Sequence, residues 1–196
     1  MSIRCVNVQP GELYLARTPT LMKTILGSCV GATFWSPSTG VGAICHGVLP
    51  TCPAGAPVAE QHRYVDAAIR YLIRRFNDLG ISRDDLEIKL FGGADVLPVA
   101  ATRRDRPTIG AQNCRRALEV LAEEEIRVVA SDLGGKRGRA IHFDSATGGV
   151  VAHRLVRLAD VPPVFEVQHG FPIILPNRKL DYLNYAQGEN PRTGRG

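Results

Sequence analysis

The chain has 196 residues, enough for one sizeable core, and its 44% hydrophobic and 22% charged composition is that of an ordinary globular domain, not a disordered or fibrous one. Its 24 basic and 19 acidic residues leave a formal charge of +5, a weak bias toward acidic partners; without an aromatic-interleaved basic motif it does not indicate nucleic acid. No run approaches about 18 consecutive apolar residues, and Met1-Ser2-Ile3-Arg4 does not open a signal peptide, so a cytoplasmic protein without membrane insertion is expected.

Residues 5–22 read as a short strand, a turn at Gly11 and an approach segment. Val30, Ala32, Phe34 and Trp35 then form an apolar run headed by Gly27-Ser28-Cys29, and a second run spans Val41 to Leu49. The turn formers Ser36-Pro37-Ser38-Thr39-Gly40 between them predict a β-hairpin. If Trp35 and Val41 flank the loop, paired residues have numbers summing to about 76, which makes Cys29 and His46 candidate cross-strand neighbours. A slip of one residue would put them on opposite faces, and a bulge near Gly42 would repair it. A thiol beside an imidazole suits nucleophilic catalysis, with Cys29 attacking and His46 removing its proton. The plain alternative is a cysteine that serves as a small core hydrophobe. Gly27 lets the backbone bend closely beside Ser28 and expose amides suited to an oxyanion, or else serves only a bulge.

Thr51 to Pro57 reads as a loop. From Ala59 to Leu79 apolar residues recur at helical spacing up to Gly80, with Arg70, Arg74 and Arg75 on the solvated side. Leu86, Ile88 and Leu90 alternate inward in a short strand that runs into the tight Phe91-Gly92-Gly93-Ala94. Residues 99–108 form a basic loop with Arg103, Arg104 and Arg106, and a second helix from 109 or 110 to 125 carries Ala117, Leu118 and Leu121 as its core stripe. Runs at 126–130, 139–143 and 149–158 predict a three-stranded meander whose first turn is the basic Leu133 to Gly138. That turn lacks the spacing and the following helix of a phosphate-binding loop. His142, His153 and His169 read as isolated core or surface histidines.

Five cysteines, Cys5, Cys29, Cys45, Cys52 and Cys114, lack regular spacing, which fits reduced thiols. Cys45-His46 with Cys52 lacks a Cys-x-x-Cys pair or a second ligand cluster, so neither a metal nor a cofactor is expected. The fold expected is a single α/β domain in the sense of an α+β sandwich, with a mixed or mostly antiparallel sheet covered by two main helices. Residues 1–160 form that domain, and 161–196 form an extension that packs on the core and ends in a disordered tail.

Leu26-Gly27-Ser28-Cys29-Val30, followed by Gly42 to Pro50, resembles the CheD family of chemoreceptor glutamine deamidases. Arg63 to Ile69, Phe91 to Ala94, Ile109 to Asn113, Gly138-Arg139 and Thr147 to Val150 agree, in the family's order, over roughly Val8 to Arg157. The resemblance implies that Cys29, His46 and a threonine form a catalytic set that hydrolyses a protein glutamine amide to glutamate and ammonia. Thr24 lies five residues before Cys29, whereas the family's threonine lies six before in some members, where this chain has Lys23. Either Thr24 or a main-chain carbonyl of this segment would orient the imidazole. Gln112 stands where many members have arginine. The implied partners are the cytoplasmic domain of a methyl-accepting chemoreceptor, as substrate, and a chemotaxis phosphatase; Arg103 to Arg106, Arg115 and Arg116 would help docking on acidic receptor helices. A purely binding role, a methylesterase and a transglutaminase are the competing functions.

Overall fold

The computed structural model describes residues 3–96, 107–155, 165–168 and 171–174. Its first compact unit spans Met1–Leu155 and the second Val156–Gly196. In the second, the described residues form a two-stranded antiparallel hairpin, Phe165–Gln168 with Phe171–Ile174. The expected packing of 161–196 and its tail otherwise lie outside the described residues, as do Arg103, Arg104, Arg106 and His169.

The first unit has three layers. Strands β1 (Arg4–Asn7), β2 (Leu13–Ala16), β3 (Thr20–Leu26), β4 (Val30–Trp35) and β5 (Gly42–Gly47) lead to a 3-10 helix, Val58–Arg63, and to helix α1 (Val65–Asp78). There follow β6 (Glu87–Gly92), α2 (Ile109–Glu123), β7 (Val128–Leu133), β8 (Arg139–Asp144) and β9 (Gly149–Arg154). The strands sort into a five-stranded sheet, ordered β2-β5-β4-β6-β7, and a four-stranded sheet, ordered β1-β3-β8-β9. Pairing is antiparallel except β1 with β3 and β6 with β7. The α+β class expected from the sequence, with mixed sheet and two main helices, is what is found.

Strand alternation divides the core in two. Val30, Ala32, Phe34, Ala43, Cys45, Ile88 and Leu90 face the helices, where they meet Val65, Ile69, Leu72, Phe76, Val120 and Leu121. Met22, Leu26, Ile44, Phe91, Ile141 and Phe143 pack in the second cluster, between the sheets, with half-buried Cys29 and Trp35 against it. The amphipathic pattern that predicts α1 places its stripe correctly. On α2 the buried residues are Gly110, Asn113, Ala117, Val120 and Leu121, while Leu118 is exposed, so Val120 takes the place expected for Leu118 in the apolar stripe.

The meander is not formed. β8 and β9 pair as a hairpin, but β7 leaves them and joins β6 in parallel in the other sheet. Sequence adjacency favours the hairpin; the buried β6 edge and the Arg139 ion pair favour the observed partner. Arg139, on β8, is fully buried between the sheets and grips β7 bidentately, Nε to Asp132 Oδ2 at 2.7 Å and Nη2 to Asp132 Oδ1 at 3.0 Å. It also donates to the carbonyls of Gly92 at 3.2 Å and Gly134 at 2.8 Å, so one side chain ties β8 to β6 and β7. The pair holds the Asp132 carboxyl below the usual carboxylate range, first through the Arg139 hydrogen bonds, against a smaller opposing effect of burial.

Removing Asp132 would leave a buried guanidinium short of its counter-charge. Asp132→Ala is therefore expected to destabilise the protein by about 3–5 kcal/mol. Arg154→Ala, at the exposed partner of the same carboxylate, is expected to cost under about 1 kcal/mol. Urea denaturation of the two variants checks this; equal midpoints would show that Arg139 does not depend on the pair.

Candidate active site

The hairpin register is unbroken and slightly longer than expected: Trp35 pairs with Gly42, Gly31 with His46 and Val30 with Gly47, so partners sum to 77. Cys29 sits one residue before β4, two from the residue opposite His46. No bulge intervenes at Gly42. Cys29 and His46 are diagonal rather than direct neighbours, and the two-residue offset keeps both side chains on one face. Diagonal backbones lie about 7–8 Å apart, within reach of an imidazole. Opposite His46 stands Gly31, where a Cβ would lie 3.0 Å from Leu26 Cδ1, so the bare position admits the Leu26 side chain.

That face is the one turned toward the four-stranded sheet. Thr24 points from β3 into the same space, and its Oγ1 lies 2.8 Å from His46 Nδ1. The same hydroxyl donates to the Val8 carbonyl at 2.7 Å. A hydroxyl has one proton, and a carbonyl only accepts. Thr24 must therefore accept from Nδ1–H, which fixes the neutral ring as the Nδ1–H tautomer and leaves the lone pair on Nε2. His46 is 1% exposed, and its Nε2 has no hydrogen-bond partner among the described residues. Lys23 projects to the other face of β3, beside His142. Thr24, not the Lys23 position, thus meets the ring.

Burial lowers the pKa of His46, with the Val8 carbonyl and the Glu12 carboxylate pulling weakly the other way. Burial raises the Cys29 thiol above its ordinary value, opposed by its own backbone N–H. Both shifts favour the uncharged forms, a neutral thiol beside a neutral imidazole. Cys45, on the opposite face of β5, is pushed up to about 12 by complete burial, against the Ala32 and Cys45 backbone N–H groups. It is the core cysteine, and Cys29 is not.

The segment that carries Cys29 is held by its carbonyls. Gly27 O accepts from Ala94 N at 2.8 Å and Cys29 O from Gly93 N at 2.7 Å. Ser28 O accepts from Asn113 Nδ2 at 2.9 Å, and a second proton of that amide goes to Val48 O at 2.9 Å. Gly92 explains the double glycine: its φ is +102° and a Cβ there would lie 2.2 Å from the Cys29 carbonyl oxygen. Asn113 is the residue of this region to which sequence reasoning gave no role; it lay in a motif whose function only the folded contacts reveal. Gln112 beside it bonds Pro107 O at 2.8 Å.

Other expected positions fall elsewhere. Arg116, expected to help docking, is engaged by Asp66, Glu119 and Glu123, and Arg70, expected to be solvated, pairs with Glu123 and Glu124. His142 and His153 are not isolated: their rings lie 5.7 Å apart on the outward face of β8 and β9. Among the described residues, no group of three or more His, Cys, Asp or Glu is arranged to hold a metal. No described helix is long and apolar enough to cross a membrane.

A family model described as CheD chemotactic sensory transduction matches residues 48–154. A Geobacter sulfurreducens protein named probable chemoreceptor glutamine deamidase CheD 2 is 41% identical over 152 residues, 78% of this chain and 91% of that one. The chain belongs to the CheD family. A Maridesulfovibrio salexigens relative named probable chemoreceptor glutamine deamidase CheD is 37% identical, over 78% of this chain and 93% of its own. A Nitratidesulfovibrio vulgaris relative of the same name is 39% identical, over 83% and 82%. Among solved structures, the hypothetical protein YfiH of Bacillus licheniformis matches at TM-score 0.38 and 13% identity, covering 61% of this chain and 49% of its own, too slight a likeness to carry an argument.

The two pKa shifts make the resting state of this CheD site testable. Alkylation of Cys29 by iodoacetamide, followed by peptide mass spectrometry, is expected to keep accelerating with pH to beyond 9.0, the ordinary thiol value. A rate already at its plateau near about pH 7 would instead reveal a preformed thiolate.

Proposed function

We propose that this CheD chain is a cytoplasmic chemoreceptor glutamine deamidase that works through Cys29, His46 and Thr24. The observation that carries this reading is the single Thr24 hydroxyl proton. Its donation to Val8 directs the imidazole's lone pair to Nε2, on the face that Cys29 shares. The names of the curated relatives supply the substrate class, a glutamine side-chain amide of a chemoreceptor.

In the proposed reaction, Nε2 takes the Sγ proton as sulfur attacks the amide carbon, and a tetrahedral oxyanion forms. The amides of Ser28 and Cys29 stabilise it, with the bend at Gly27 exposing them. That role is supported by the outward tethering of the Gly27, Ser28 and Cys29 carbonyls, which keeps acceptors away from the developing negative charge. The imidazolium returns its proton to nitrogen as the C–N bond breaks, releasing ammonia and leaving a thioester. Nε2 then takes a proton from water as its oxygen attacks; the C–S bond breaks, and glutamate and the free thiol result. The net reaction consumes one water and needs no cofactor. Thr24 touches only the far nitrogen of the ring and acts by holding its orientation. A chemotaxis phosphatase is a second proposed partner, through the chemotaxis setting of the family.

Incubation with a chemoreceptor cytoplasmic fragment, read by mass spectrometry for glutamine becoming glutamate, tests the proposal. Wild-type protein is expected to convert specific glutamines, and Cys29→Ala to convert none while still binding the fragment. Thr24→Val is expected to lower kcat about 10²-fold, the low end of what general base catalysis supplies. Conversion that persists in Cys29→Ala would sink the thiol mechanism. Binding without conversion by the wild type would make the protein a binding partner instead, and incorporation of an added primary amine would make it a transglutaminase.

A further inference from the structure

Asn113 lies on α2, away from the hairpin, yet it spends both amide protons on the two segments that frame the site. One goes to the Ser28 carbonyl, whose residue precedes Cys29, and the other to the Val48 carbonyl, two residues after His46. With both Nδ2 protons donated to carbonyls, the assignment of the amide is fixed by chemistry, and Oδ1 is the remaining atom. The residue is 0% exposed, and Oδ1 is buried without a hydrogen-bond partner among the described residues. A buried acceptor left without a partner is destabilising, because it has given up its hydrogen bonds to water. The side chain is therefore held at a cost, and what it delivers is a fixed separation between the two strand ends.

The backbone is cut to allow it. A Cβ at Gly110 would lie 2.5 Å from the Gly93 carbonyl oxygen, and a Cβ at Gly93 would lie 2.0 Å from Cys114 Sγ. Only with both positions bare does the first turn of α2 press onto the Gly92-Gly93 turn, and that seating brings Asn113, one turn further on, within reach of Ser28 and Val48. Gly93 N meanwhile holds the Cys29 carbonyl. The helix thus grips the nucleophile's segment twice, through Gly93 and through Asn113.

We propose that Asn113 is a positioning residue of this site: its two donated hydrogen bonds lock the Ser28-Cys29 segment to the end of β5 and so set the distance from the Cys29 sulfur to His46 Nε2. The proposal rests on the Cys29–His46 reading above. It touches no substrate, and its effect falls on the chemical step rather than on docking.

N113D is nearly isosteric, replaces the double donor with an acceptor facing two carbonyls, and keeps the side-chain volume; N113A removes the group outright. Both are compared with wild type and C29A in the deamidation assay, with circular dichroism and thermal unfolding to establish that each is folded at the assay temperature. The expected result is a kcat at least about 30-fold lower in N113D and N113A, with KM within about threefold of wild type. A kcat within threefold of wild type in either variant, or a loss that only tracks the unfolded fraction, would overturn the proposal. The iodoacetamide rate of Cys29 in folded N113D is a readout independent of substrate. It is expected to differ from wild type at least threefold, and an equal rate counts against the positioning role even if the wild type deamidates nothing. A wild type without deamidase activity and an altered Cys29 rate in N113D would reject the deamidase reading while leaving the positioning inference standing.

Discussion

The contact on which the site's geometry depends is the one between Thr24 and His46, because it is made across two different sheets. A neutral imidazole has one donor and one acceptor nitrogen, and nothing in the ring decides which is which. The decision is made by a hydroxyl on β3 of the four-stranded sheet that has already given its proton to Val8. The consequence is structural as well as chemical. The hydroxyl reaches the ring only while the two sheets keep their spacing, so the packing of Met22, Leu26, Ile44, Ile141 and Phe143 in the cluster between them maintains the contact that selects the tautomer.

Arg139 maintains that spacing at the end of the inter-sheet space nearest Cys29. A fully buried guanidinium is costly unless nearly all of its donors are matched, and here four of its hydrogen bonds go to Asp132 and to the carbonyls of Gly92 and Gly134. The Gly92 carbonyl held by Arg139 belongs to the same peptide group as the Gly93 N–H that holds the Cys29 carbonyl. A continuous path of hydrogen bonds therefore runs from the ion pair on β7 and β8 to the segment bearing the thiol. The turn it passes through tolerates no side chain at Gly92, where the approach to Cys29 is closest.

Much of this was legible in the sequence because it is local. The hairpin from Val30 to Gly47 is announced by its turn formers, α1 by its apolar period, and the nearness of Cys29 and His46 by counting residues across the loop. Counting also shows its limit. The observed partner sum is 77 rather than 76, and that single step places Cys29 and His46 diagonally on one face, whereas a sum of 76 would have put them on opposite faces. What was not legible is long-range. The partner of β7 is set by a buried ion pair with β8 and by the free edge of β6, neither of which leaves a local pattern, so adjacency wrongly suggested a meander. The α2 stripe was misjudged by including Leu118 in place of Val120, since two overlapping apolar stripes fit its sequence and only the packing on α1 and the five-stranded sheet selects one. Thr24 was reachable only through family resemblance and remained one residue away from an alternative. Strand parity resolves it, because Lys23 and Thr24 necessarily point to opposite faces of β3.

The same burial that organises the site also limits how it can work. Desolvation raises the thiol and lowers the imidazole, and both shifts disfavour a resting thiolate–imidazolium pair. In the proposed reaction the proton transfer must then be coupled to attack on the carbonyl, when the negative charge moves off sulfur onto an oxygen that backbone amides can reach. This suits an amide better than an ester. Expelling ammonia requires a proton on the departing nitrogen, and the imidazolium formed when the ring accepts the thiol proton is the acid in place to give it. A permanently ionised thiolate–imidazolium pair would be the more reactive toward any passing electrophile. A neutral pair stays quiet until a carbonyl is seated beside it, and the burial of His46 shifts its titration in the direction that favours the neutral ring.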